Sequence, residues 1–138
     1  MNPNVLKKLE WPKLLQNLAK FTQTDEGSEL CLALMPKLQK DSIEEVWRQI
    51  LPLRDLSAKG YRAPIGNMPN LHLILKASSL GQVLSGEDFR NVARVLDATK
   101  SVFGFAEDFG NQCSTLKKFR ARIYPMPELL AKINRAVD

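Results

Sequence analysis

Residues that do chemistry are scarce in this chain of 138 residues. It holds one histidine, His72, and two cysteines, Cys31 and Cys113. His72 has no acidic pair or cysteine spaced to join it as a metal ligand, so a packed or surface role is expected. The cysteines lie far apart and outside any Cys-x-x-Cys pattern. They read as reduced thiols packed in or near a core, which places the chain in a reducing cytoplasm. Neither Gly-x-x-x-x-Gly-Lys-Ser/Thr nor Gly-x-Gly-x-x-Gly occurs, so two nucleotide-binding fingerprints are missing. No apolar run approaches the roughly 20 residues of a membrane span. The first eight residues lack the apolar stretch of a secretory leader. There is no internal repeat and no low-complexity segment.

Three carboxylate pairs, Glu44-Glu45, Glu87-Asp88 and Glu107-Asp108, invite an acid–base reading. Two of them sit at expected helix starts, where the helix dipole already accounts for them. The chain by itself is therefore expected to be no enzyme, with no catalytic residue, no metal site and no cofactor of its own.

What is present is ordinary globular material. Hydrophobic residues make up 44% and charged residues 25%, enough for one domain, 1–138, with a real core. The pattern is helical nearly throughout. A first helix is expected over 10–21, with Pro12 in its first turn. Thr24 then caps a second helix that Asp25 and Glu26 open and Pro36 ends. On it, Gly27, Leu30, Cys31 and Leu34 share a face, and Gly27 is expected to admit a close neighbouring helix. Ser42 and Glu45 form a capping box for a third helix. Ile43, Val46, Trp47, Ile50 and Leu53 line its inward side. Pro52 interrupts it, predicting a kink or two shorter helices.

Residues 60–69 form the clearest loop. A short helix over 70–80 follows, with Leu71, Ile74, Leu75 and Ser78 in register, although 71–75 has some strand character. Gly81 closes it, and Ser85 with Asp88 opens the longest helix. Two apolar stripes on that helix predict neighbours on more than one side. Another helix is expected over 112–123, with Leu116, Phe119 and Ile123 inward. An extended Tyr124-Pro125-Met126-Pro127 leads to a last helix over 128–137.

Charge is uneven. Residues 1–20 carry four lysines against one carboxylate, and 111–138 carry six cations against two carboxylates. Lys117, Lys118, Arg120 and Arg122 fall within two helical turns and form a basic stripe that could follow a phosphate backbone without reading bases. The same stripe could serve only as a solvated face. Arg90, Arg94 and Lys100 would extend it if the helices stack favourably.

Several phrases in order carry a resemblance. Leu9-Glu10-Trp11 opens the chain. Thr24 and Gly27 with Leu30, Leu34 and Pro36 follow, then Ser42-Ile43-Glu44-Glu45-Val46. Gly81-Gln82-Val83-Leu84-Ser85-Gly86-Glu87-Asp88 comes next. Pro127-Glu128-Leu129-Leu130, leading to Asn134-Arg135-Ala136-Val137-Asp138, closes the series. Together they resemble the N-terminal core and lever region of the bacterial MutS family, in its second, recombination-suppressing branch.

The resemblance implies an all-α fold, an irregular bundle of about six to seven helices. It also implies a parent protein that continues into a dimerising ATPase using ATP and Mg, often with a nuclease-like domain. That homodimer would act on branched or otherwise non-standard DNA or, in some members, on stalled ribosomes, with no membrane involved. The chain's own part would be mechanical. Pro52, and Gly86 in place of a proline common after the capping serine, depart from the family pattern. The alternatives are a stand-alone basic helical nucleic-acid module and a helical protein-interaction domain.

Overall fold

Eight helices and no strand make up the regular structure of the residues described by the computed structural model, 3–66 and 68–137. The fold is all-α. Asn67 of the expected loop and Asp138 of the closing phrase lie outside the described residues. The chain divides into two compact units, Met1–Pro36 and Lys37–Asp138.

The first unit holds α1 (Pro3–Lys8), α2 (Trp11–Ala19) and α3 (Asp25–Leu32). The sequence reading did not anticipate α1. Lys7 and Lys8 complement the negative end of its dipole. Glu10 then takes a left-handed φ of 51° to turn the chain into α2. Pro12 stands in the first turn, where its missing N–H costs nothing. Helices α2 and α3 pack together. Leu15 and Cys31 are buried, with the Cys31 thiol 3.8 Å from the Leu15 carbonyl oxygen. The Trp11 indole N–H donates to the Leu34 carbonyl at 3.0 Å.

Thr24 caps α3 as expected, accepting from the Gly27 N–H at 3.0 Å. The role expected of Gly27 needs correction. A Cβ there would meet the Thr24 hydroxyl oxygen at 2.8 Å and no neighbouring helix. The glycine makes room for the cap. Of the expected shared face, Cys31 is buried while Leu30 and Leu34 are exposed.

The second unit comprises α4 (Lys40–Ala58), α5 (His72–Ser79), α6 (Gly86–Phe109), α7 (Ser114–Arg120) and α8 (Pro127–Val137). Its core gathers Leu56, Ala106, Cys113 and Leu116, with Leu53, Phe105 and Phe109 packed against them. Helix α6 carries α7 toward one end and α8 along its side, as its two apolar stripes require. Its start is a complete capping box. Asp88 N–H donates to the Ser85 hydroxyl at 3.2 Å, and the Ser85 N–H donates back to the Asp88 carboxylate at 2.8 Å.

Helix α4 starts two residues before the expected box. Gln39 is its N-cap without a side-chain hydrogen bond, and Ser42 lies inside the first turn. Lys40 and Glu44, 3.6 Å apart at i,i+4 spacing, support the added residues. Pro52 lies within this one 19-residue helix rather than between two shorter ones. A Schellman stop ends it. Gly60 at φ +88° lets its own N–H reach the Ser57 carbonyl at 3.0 Å and the Tyr61 N–H reach Leu56 at 3.1 Å. Gly81 at φ +70° closes α5 with the same pair of bonds.

Face assignments on two helices fail here. Trp47 is 52% exposed, and Ile43 and Ile50 on the same side are exposed too. On α5 the half-buried side is Leu71, Ile74 and Ala77, while Leu75 faces outward.

Candidate nucleic-acid interface

Helix α7 is short but firmly seated. Its N-cap, Cys113, is fully buried, and Thr115 and Leu116 are buried behind it. The Thr115 hydroxyl donates to the Gln49 carbonyl at 2.8 Å, tying α7 to α4. Gly110 sits under the start of the next turn. A Cβ there would lie 3.7 Å from the Lys117 Cα and 2.6 Å from the Ala106 carbonyl oxygen.

The expected helix over 112–123 is cut at both ends. It begins at Ser114 and stops at Arg120. Beyond it, the Arg122 and Ile123 N–H groups bond three residues back, to Phe119 and Arg120. This tightening precedes Tyr124-Pro125, where helical geometry is disfavoured. Arg122 therefore stands on the turn after α7 and does not pair with Lys118 along one helix face. Phe119, expected inward, is 50% exposed.

All four cations of the predicted stripe are exposed, but they are not equivalent. Lys117, Lys118 and Arg120 occupy the last turn of α7, where positive charge complements the helix end. Arg120 turns to α6. Its Nη2 donates to Glu107 Oε1 at 2.7 Å, and its guanidinium carbon lies 5.4 Å from the centre of the Phe103 ring. Lys118 forms no ion pair among the described residues and only weakly influences Glu45 of α4. The Glu45 carboxyl lies below its ordinary 4.5, chiefly because Gln49 donates to it, with Arg48 and Lys118 adding attraction that desolvation partly opposes. Lys117 and Arg122 make no side-chain hydrogen bond or ion pair among the described residues.

Arg90 and Arg94 do not extend this surface. They are thirteen or more residues up α6 from Glu107, about 20 Å along the axis. Both pair with Glu87, at 2.9 and 3.6 Å. Together with Asp97 and Asn134 they line an open groove of about 310 Å³ between α6 and α8. Among the described residues, no group of three or more His, Cys, Asp or Glu side chains is placed to hold a metal ion.

Comparison with known proteins finds a consistent likeness along the whole chain. It is 30% identical to the endonuclease MutS2 of Ligilactobacillus salivarius over 141 residues, all of this chain and 18% of that protein. It is 28% identical to that of Latilactobacillus sakei, over 99% of this chain and 18% of the relative. With the putative endonuclease MutS2 of Bacillus subtilis it shares 25% over its full length, again 18% of the relative. Along its whole length the chain is thus similar to one part of MutS2 proteins.

The chain spans about 18% of the length of the MutS2 proteins it matches. No family model and no solved structure matches it. The phrase 81–88, one of those that carry the resemblance, has a structural duty. Its Gly81 stops α5 and its Ser85 and Asp88 start α6.

Nothing in the order of residues points directly to Arg120 facing a carboxylate on another helix. The i,i+4 spacing of Phe103 and Glu107 was the available signal, because it sets a ring and a carboxylate on one side of α6.

Proposed function

We propose that this chain is the N-terminal core and lever segment of a MutS2-type protein, and that its part is mechanical and DNA-contacting rather than catalytic. The observation that carries this reading is the likeness to MutS2 proteins over the whole chain. In this reading the rest of the protein supplies an ATPase that uses ATP and Mg, dimerises, and in some forms carries a nuclease domain. The whole handles branched or non-standard DNA in recombination control or repair, or stalled ribosomes. The segment holds the lever and presents the basic end of α7, with Lys117, Lys118, Arg120 and Arg122, toward a phosphate backbone.

Two measurements test it. Reading the gene beyond Asp138 should reveal a continuing frame with a Gly-x-x-x-x-Gly-Lys-Ser/Thr loop several hundred residues on. A stop codon would overturn the ATPase assignment. Fluorescence anisotropy of the chain on a labelled three-way DNA junction should give affinity that falls steeply with KCl. Reversing all four charges should abolish that binding, and unchanged binding would remove the stripe from the account.

A second reading, a helical protein-interaction surface, is favoured by the exposed Ile43, Trp47 and Ile50 on α4. It expects a dimer in analytical ultracentrifugation that Trp47→Glu dissociates. A monomer at every concentration would exclude self-association through this face.

A further inference from the structure

We infer that Arg120 is a positioning residue for α7 and not one of the phosphate ligands, so that direct backbone contact falls chiefly to Lys117 and Arg122. The inference rests on the nucleic-acid reading above for what those two cations do, but its geometric half stands without it.

An arginine available to phosphate must be free to turn its planar fork outward. Arg120 is held on two sides. Glu107 accepts from Nη2 at 2.7 Å, a short charge-assisted bond. The Phe103 ring lies under the guanidinium at 5.4 Å. Phe103 and Glu107 stand one turn apart on α6, so ring and carboxylate form a two-point cradle. Gly110, one turn further on, lets the α7 backbone approach. The cradle grips the last residue of α7, while Thr115 pins its first turn to α4. A seven-residue helix is too short to persist unaided. Anchors at both ends give Lys117 a fixed direction and fix the take-off of the turn bearing Arg122.

Lys118 adds a minor attraction to the Glu45 carboxylate but forms no ion pair with it. Lys117 and Arg122 have no such partner among the described residues. Charge counting alone would treat the four cations as equal, and would treat Glu107 as a repulsive neighbour whose removal strengthens DNA binding. The cradle predicts the opposite sign for Glu107.

The test uses the full chain, a labelled three-way DNA junction, and a KCl series. Lys117→Gln and Arg122→Gln should each lower the slope of log affinity against log salt by about 0.9. Arg120→Gln and Glu107→Gln should leave the slope unchanged and each weaken binding about three- to fivefold. Tighter binding by Glu107→Gln, or a slope reduced by about 0.9 in Arg120→Gln, would overturn the inference.

Amide hydrogen exchange without DNA supplies the independent arm. Amides of α7 should exchange about three- to fivefold faster in both variants. The exchanged pair Glu107→Arg with Arg120→Glu should restore slow exchange. Unchanged exchange in the single variants would overturn the positioning role. Faster exchange in a chain that binds no junction would support the cradle and dismiss the nucleic-acid reading.

Discussion

Thr24 and Gly27 form a unit in which neither residue can be judged alone. Alanine is the better helix former by about 1 kcal/mol, so Gly27→Ala should stabilise α3. Its Cβ, however, would press on the Thr24 hydroxyl oxygen at 2.8 Å and dislodge a cap worth about 1 kcal/mol. Urea denaturation should therefore show Gly27→Ala nearly neutral in the native background and stabilising by about 1 kcal/mol in Thr24→Ala. Additive effects would show that the cap tolerates the methyl group.

Asp88 gives a pH prediction at the same scale. Hydrogen bonds from the Ser85 side chain and backbone hold its carboxyl below the ordinary 3.8. A depressed folded-state pKa contributes stability above the unfolded value, and that stability is lost as pH falls through the folded one. Acid titration of the native chain should therefore show a loss below about pH 3.8 that Asp88→Asn lacks. Identical acid profiles would mean the capping box does not report on stability.

At the scale of elements, helix termini were more legible than helix faces. Thr24, Gly81, Ser85 and Pro125 act as the sequence suggests because each works through its own backbone geometry or an atom three residues away. Ser42 failed because a helix can start earlier with an uncapped Gln39 and an i,i+4 ion pair. The faces of α4, α5 and α7 were harder. Periodicity shows that Trp47, Leu75 and Phe119 share an apolar side, but not whether another element covers it.

Helix α4 also carries a correctable cost. Pro52 within it donates no hydrogen bond and crowds the preceding turn. Pro52→Ala should stabilise the chain by about 1–3 kcal/mol, read as a higher urea midpoint at unchanged m. A loss of stability would show that the half-buried ring's packing outweighs the missing bond.

For the whole molecule, fold class and helix order were readable from periodicity, and the MutS resemblance from the order of short phrases. The candidate interface was only half readable. The cluster of four cations is visible in the chain, but their inequality depends on Glu107, which approaches Arg120 from another helix. A contact across thirteen residues between two helices leaves no local trace.

The buried cysteines lend themselves to a different use. Cys31 lies in the first unit and Cys113 in the second, and both thiols are unpaired and buried. Each is thus a sealed chemical reporter of its own unit. Timed alkylation with an iodoacetamide, followed by peptide mass analysis, should yield two separate opening rates from one sample. Under mild urea the two rates should diverge if the units unfold independently, and a single common rate would reveal one cooperative transition. The pair of thiols makes the native chain a two-channel stability gauge that needs no engineered label.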